Sequence, residues 1–135
     1  MISTYTSISQ AVAADGILNF DTTRVLTGCT VKHADGTPTF TLTRPGYYFI
    51  TFDGVVTADA AGTVTVELLN GADPVPGAIA STALAADGVA TLNFSTIVRV
   101  LPSCPAIDNT TKLSVLNSGI EATFTSTNIN ITKLC

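Results

Sequence analysis

The sequence predicts an all-β protein, an antiparallel β-sandwich or barrel, and three observations carry that expectation. Apolar residues nowhere recur at helical spacing; instead, about eight to ten short stretches rich in β-branched and aromatic residues follow one another. Gly, Pro, Asp and Asn clusters such as Ala14-Asp15-Gly16, Ala34-Asp35-Gly36-Thr37-Pro38 and Asn70-Gly71 separate them. The stretch Arg44-Pro45-Gly46-Tyr47-Tyr48-Phe49-Ile50-Thr51-Phe52 is apolar at alternating positions on both sides, as a strand deep in a sheet is.

In chain order, Thr4 to Ser9 alternates Thr and Ser with Tyr5 and Ile8 and reads as a short strand. Ile17 to Phe20, Arg24 to Leu26 and Cys29 to Lys32 are further short β-like pieces. Phe40 and Leu42 alternate with Thr39, Thr41 and Thr43, and this strand is expected to pair closely with the central one across Arg44-Pro45-Gly46. Proline there pre-sets φ and glycine tolerates φ > 0, which suits a turn that launches a strand. Tyr48, Ile50 and Phe52 then line one side while Tyr47 and Phe49 line the other, and the β-rich run continues through Val55 and Val56.

After Asp59-Ala60-Ala61-Gly62, Val64, Val66 and Leu68 alternate with Thr63, Thr65 and Glu67 in a half-buried strand. Ala72-Asp73-Pro74-Val75-Pro76-Gly77 is so rich in turn formers that an exposed loop is expected. Ile79 to Leu84 is a strand weakened by alanine. Val89 to Val100 is the longest β-rich run, expected to be bent by a bulge or to cross an edge of the sandwich. Lys112 to Leu116 and Asn128 to Leu134 are the final strands, joined by Asn117-Ser118-Gly119 and a Thr-rich connection around Phe124. The similarity of the stretch from Ala13-Ala14-Asp15-Gly16 to Asn19-Phe20 to the stretch, two residues longer, from Ala85-Ala86-Asp87-Gly88 to Asn93-Phe94 reads as Asp-Gly turn chemistry before a strand rather than a duplicated unit.

The pattern Gly46-x-Tyr48-x-Ile50-x-Phe52, with Phe40 shortly before it, resembles the aromatic-rich strand of the C1q/TNF-like jelly-roll family, which usually has Phe where this chain has Ile50. The strand order over roughly residues 4 to 134 is similar to that fold. The resemblance implies a C1q/TNF-like jelly roll, a homotrimer, and a threefold axis lined by the sheet that holds this strand. Tyr48, Ile50 and Phe52 sit in the family's core phase, so Tyr47 and Phe49 are expected at the subunit contacts. Ile129 and Ile131 of the last strand are expected beside them by the same resemblance.

The chain has 135 residues, enough for one domain spanning residues 1–135 around one core. Only 12% of its residues are charged, against about a quarter in ordinary soluble domains, and its mean hydropathy is +0.44. Such a surface of Thr, Ser, Asn, Ala and Gly suits a packed assembly. No apolar run approaches the roughly 20 residues that span a bilayer, and the first residues lack a secretory signal, so neither membrane insertion nor classical export is expected. A net charge of −4 with six scattered Lys and Arg argues against nucleic-acid binding.

Chemistry is sparse. Cys29, Cys104 and Cys135 are widely spaced and odd in number, as free thiols are; a Cys104 to Cys135 bridge is the alternative. His33 lacks an identifiable nucleophile or metal partner, and Asp53, Asp59 and Asp73 are too isolated for calcium, which takes about six to eight oxygens. The acceptor patterns at Asn93, Asn109 and Asn130 are expected by chance in so Asn-, Ser- and Thr-rich a chain. No phosphate loop or nucleophile elbow is present, so no enzyme activity, cofactor or metal is expected.

The resemblance and composition together point to a structural protein of a bacteriophage particle, a trimeric decoration or fibre-tip protein with a capsid or other virion protein as partner. The alternatives are a carbohydrate- or receptor-binding module using end loops such as Asp73 to Gly77 and Pro102 to Asn109, or a bacterial spore- or cell-surface trimer. The lack of Trp weighs against the first of these, and the lack of collagen-like repeats against the second.

Overall fold

The computed structural model describes residues 1–101 and 111–134. Twelve strands run through these residues: β1 (Ile2–Thr6), β2 (Gln10–Val12), β3 (Gly16–Ile17), β4 (Thr22–Leu26), β5 (Val31–Lys32), β6 (Phe40–Leu42), β7 (Gly46–Thr57), β8 (Gly62–Asn70), β9 (Asp73–Leu84), β10 (Val89–Val100), β11 (Thr111–Asn117) and β12 (Ala122–Lys133). They form two antiparallel sheets. The first has the order β10-β7-β12-β1-β4 with β2 added beside β12; the second has the order β5-β6-β11-β8-β9 with β3 beside β11. No helix occurs among the described residues.

Alternation along each strand decides what the two sheets bury between them. Tyr48, Ile50, Phe52 and Val56 of β7 meet Val64, Val66 and Leu68 of β8 and Leu113 and Val115 of β11 in one continuous core. Aromatic rings tie it together edge to face: Phe20 lies 5.3 Å from Phe40 and 6.4 Å from Phe52, while Phe52 stacks on Phe94 at 5.2 Å. Tyr48 is fully buried, and its hydroxyl donates to the Arg44 carbonyl at 2.7 Å, so the turn before β7 is anchored by the core itself. Burial pushes that hydroxyl above its ordinary pKa, against the opposing pull of Arg44.

β7 is an interior strand, as its two-sided apolar pattern predicts, with β10 on one flank and β12 on the other. Several expectations need correction. Phe40–Leu42 does not pair with β7: it lies in the second sheet against β5 and β11, and Arg44-Pro45 carries the chain from one sheet to the other. The expected loop at residues 72–77 is mostly strand, because β9 begins at Asp73 and the turn contracts to Gly71 and Ala72. Pro74 and Pro76 are tolerated there because β9 is an edge strand, where an amide that would face away from the sheet is not needed.

β10 carries no bulge against β7; the ladder runs unbroken from Val89↔Thr57 to Val100↔Gly46. The irregularities lie elsewhere, between Glu67 and Leu69, between Ser3 and Thr4, and between Phe124 and Ser126. The first strand starts and ends earlier than expected, at Ile2–Thr6, and the last begins at Ala122, so the connection around Phe124 is part of β12.

Candidate interaction face

The outward side of the first sheet holds two of the four residues singled out from the sequence, Tyr47 and Phe49. Tyr47 and Phe49 alternate with the buried Tyr48 and Ile50, so they point away from the core and are 43% and 39% exposed. No segment among the described residues buries them. Cross-strand register adds neighbours that local pattern could not supply. Ile97 of β10 sits opposite Phe49, with Thr132 of β12 on its other side, and Arg99 sits opposite Tyr47. Paired residues share a face, so Ile97, 56% exposed, extends the apolar patch. The Arg99 guanidinium lies over the Tyr47 ring at 5.6 Å. Leu134, 52% exposed, is held beside them by its amide, which donates to the Tyr47 carbonyl at 2.8 Å.

Ile129 and Ile131 are not part of this surface. Both are fully buried and face the core, where they continue the rows of Phe52 and Ile50. The reason is phase: on β12 the residues that share a side with Tyr47 and Phe49 are Asn128, Asn130 and Thr132. The face therefore changes character along the strands. Beyond the apolar end, Thr51 lies between Ser95 and Asn130, whose side-chain amide donates to the Thr51 hydroxyl at 3.3 Å. Asp53 lies between Asn93 and Asn128, and Asn128 Oδ1 is buried without a hydrogen-bond partner.

The remaining chemical candidates are dispersed. His33 is a structural residue: its ring stacks on Phe40 at 4.1 Å, and its two nitrogens lie 3.1 Å from the Thr39 and Phe20 carbonyl oxygens. Asp53 is on β7, Asp59 follows it in the turn to β8, and Asp73 opens β9. Among the described residues no three His, Cys, Asp or Glu side chains are grouped to hold a metal. Cys29 is exposed and free. Cys104, Cys135, Asn109 and the end loop from Pro102 to Asn109 lie outside the described residues. No helix among the described residues is long and apolar enough to cross a membrane.

No family model matches the chain, and no curated protein matches it in sequence. Solved structures do. The globular domain of a zebrafish complement 1qA protein superposes with a TM-score of 0.70 at 10% identity, covering 99% of this chain and 96% of that one. The TNF protein Eiger from S. frugiperda gives a TM-score of 0.72 at 10% identity, with 99% and 92% covered. Vertex protein P5 of the phage PRD1 gives a TM-score of 0.58 at 18% identity, with 99% and 96% covered. Identities this low speak to architecture alone, and across nearly the whole length of all three proteins that architecture is the same. The chain has the C1q/TNF-like jelly-roll fold, one it shares with a phage vertex protein.

Proposed function

We propose that this chain is a non-enzymatic structural protein that assembles as a homotrimer through the Tyr47 and Phe49 face and decorates a bacteriophage particle, at its capsid or at a fibre tip. The observation that carries the assembly is the cluster of Tyr47, Phe49, Ile97 and Leu134 on an otherwise regular sheet face. Apolar patches of this kind on soluble proteins mark interaction sites. A second and third copy of the chain are the occupants the fold favours, since in C1q/TNF-like proteins the sheet holding this strand packs about a threefold axis. The polar stretch of the same face, from Thr51 to Asn128, supplies amides and hydroxyls that would pair across such an axis. The virion setting is supported by the fold shared with the PRD1 vertex protein and by the low charge content. A capsid or other virion protein is the partner this reading implies.

Light scattering on the purified protein tests the assembly first, with three protomers per particle expected at micromolar concentration. Phe49→Asp places a carboxylate where the interface would exclude water. The expected product is a folded monomer, because the residue points away from the core and Ile50 keeps its packing. A wild-type monomer at that concentration would overturn the trimer, as would an unchanged trimer in Phe49→Asp. Co-sedimentation with capsid or tail-fibre protein encoded beside the chain tests the virion assignment.

A further inference from the structure

We propose that the cleft between the segment preceding β5 and the β6–β7 crossover is a receptor for an oxyanion group, a sulfate or carboxylate presented free or on an acidic saccharide. Its walls are Cys29, Lys32, Thr43, Arg44 and Pro45, and Lys32 also opens onto a neighbouring recess that contains His33, Thr39 and Thr41. Among the described residues neither lining includes an Asp or Glu. In a chain of net charge −4 with only six Lys and Arg, two of those cations converge on one cleft with no acidic side chain among its described wall residues. Two cations side by side favour an anion locally even in a protein whose net charge is negative.

The cleft is held open by groups other than the two cations. The Thr43 amide donates to the Thr30 carbonyl at 2.9 Å, and the Thr43 hydroxyl donates to the Cys29 carbonyl at 2.8 Å, clamping the two segments together. The Arg44 carbonyl accepts the buried Tyr48 hydroxyl, so the backbone beneath the guanidinium is fixed to the core. The His33 ring is locked by its stack on Phe40 and by its two carbonyl neighbours, which keeps the far wall in place. The Arg44 side chain is oriented by its Nη2, which donates to the Cys29 sulfur at 3.7 Å. Among the described residues that contact engages one N–H of five, and the rest of the fork suits a planar or tetrahedral oxyanion, with Lys32 as the second charge. Two cations are too few for a nucleic-acid track, which restricts the ligand to a compact anionic group.

Amide chemical-shift titration of the intact protein tests this with two probes, inorganic sulfate and a sulfated disaccharide, each against sodium chloride at matched ionic strength. Saturable shifts confined to residues 29–33 and 41–45 are expected. Saturation by both probes assigns the site to the oxyanion itself, and saturation by the disaccharide alone assigns it to a sulfated sugar. Arg44→Gln is expected to weaken binding about tenfold or more, the loss of a charge-assisted hydrogen bond. It retains the fold, because the bonds that anchor the cleft come from Thr43 and from the Arg44 backbone. Arg24→Gln, whose guanidinium lies over the Tyr5 ring on the first sheet, is the control and is expected to bind as the wild type does. Shifts that are linear, match those of chloride, or persist unchanged in Arg44→Gln would overturn the proposal and leave general screening as the explanation.

Discussion

Replacing Asn117 tests how one end of the sandwich is held together. Its side chain is fully buried, and both its amide nitrogen and its oxygen are hydrogen-bonded. Nδ2 donates to the Ile120 carbonyl at 2.9 Å and to the Val12 and Ala13 carbonyls at 3.2 and 3.4 Å, while Oδ1 accepts the Gly119 amide at 3.2 Å. One residue thus joins the ends of β2 and β11 to the turn that leads into β12. Asn117→Ala strands at least one donor and two acceptors. An unpaired buried group costs about 1–3 kcal/mol, and partial water access at the half-buried Gly119 and Ile120 keeps the sum near about 3 kcal/mol. For a chain of this size that lowers the midpoint of thermal unfolding by about 10 °C. Asn117→Asp preserves the shape and removes the donors, turning a carboxylate toward three carbonyl oxygens. The folded state then favours the protonated acid, so the folded pKa lies above the unfolded value of about 3.9. The penalty is absent below that value and grows as pH rises through it. Calorimetry at fixed protomer concentration from acid to neutral pH is the assay, since assembly makes the midpoint concentration-dependent. At neutral pH the Asp variant should be less stable than the Ala variant, and acidification should narrow the gap. A loss below about 1 kcal/mol for Asn117→Ala, less than one unpaired group costs, refutes the reasoning, as does an Asp variant whose difference from Ala ignores pH.

Three other outcomes are expected. A Cβ on Gly119 would lie 2.6 Å from the Thr65 amide nitrogen and 2.9 Å from Val64 Cα, both backbone atoms that cannot swing aside; Gly119→Ala should therefore cost about 2–3 kcal/mol in chemical denaturation. The Tyr48 hydroxyl, raised by burial, contributes stability that is fully present below the unfolded tyrosine value of about 10 and is lost as pH climbs through the folded one. Melting curves should accordingly fall off in strong alkali, and less steeply for Tyr48→Phe, which should start about 1 kcal/mol lower at neutral pH. A Gly-Ser insertion between Gly71 and Ala72 should cost under about 1 kcal/mol, because only a turn lengthens. The same insertion after Ala80 breaks the ladder between β8 and β9 and should lower the denaturation midpoint markedly.

What could be read from the sequence, and what could not, follows from how far each signal reaches along the chain. β7, and β8 as far as Leu68, were legible because each keeps a two-residue period after a turn signal; only at the irregularity between Glu67 and Leu69 does β8 lose it. β12 was legible only in its second half. Ala122 and Phe124 face inward, then the irregularity between Phe124 and Ser126 shifts the phase so that Thr127, Ile129 and Ile131 face inward instead. A period-2 reading of Ile129 and Ile131 finds one shared face but not which way it points. β9 was missed at its start because two prolines outweigh every other local signal, and their tolerance depends on the strand being at an edge. The passage of Arg44-Pro45 between sheets has no local signature at all. On the interaction face, alternation alone exposes Tyr47 and Phe49, whereas Ile97, Arg99 and Leu134 reach them through strand register. Lys32 and Arg44 stand 12 residues apart in a chain whose cations look scattered, and only the fold puts them in one cleft.

The two Ala-Ala-Asp-Gly segments show where local chemistry is sufficient. Asp15 and Asp87 are the only described non-glycine residues with positive φ, at 62° and 60°. In each turn the following glycine donates its amide to the alanine two residues before the aspartate, Gly16 to Ala13 and Gly88 to Ala85, both at 2.9 Å. A Cβ on either glycine would press against that same carbonyl oxygen, at 2.9 and 3.0 Å. Aspartate tolerates the left-handed region better than most side chains, and glycine fits the tight closure after it. Each turn is then pinned to a different partner: the Asp15 amide donates to Asn117 at 2.7 Å and the Asp87 amide to Ala58 at 2.8 Å. The first turn feeds β3 in the second sheet and the second feeds β10 in the first, at positions of different order in their sheets. The same four residues therefore produce the same turn in unrelated surroundings, which accounts for the internal similarity without a duplicated unit.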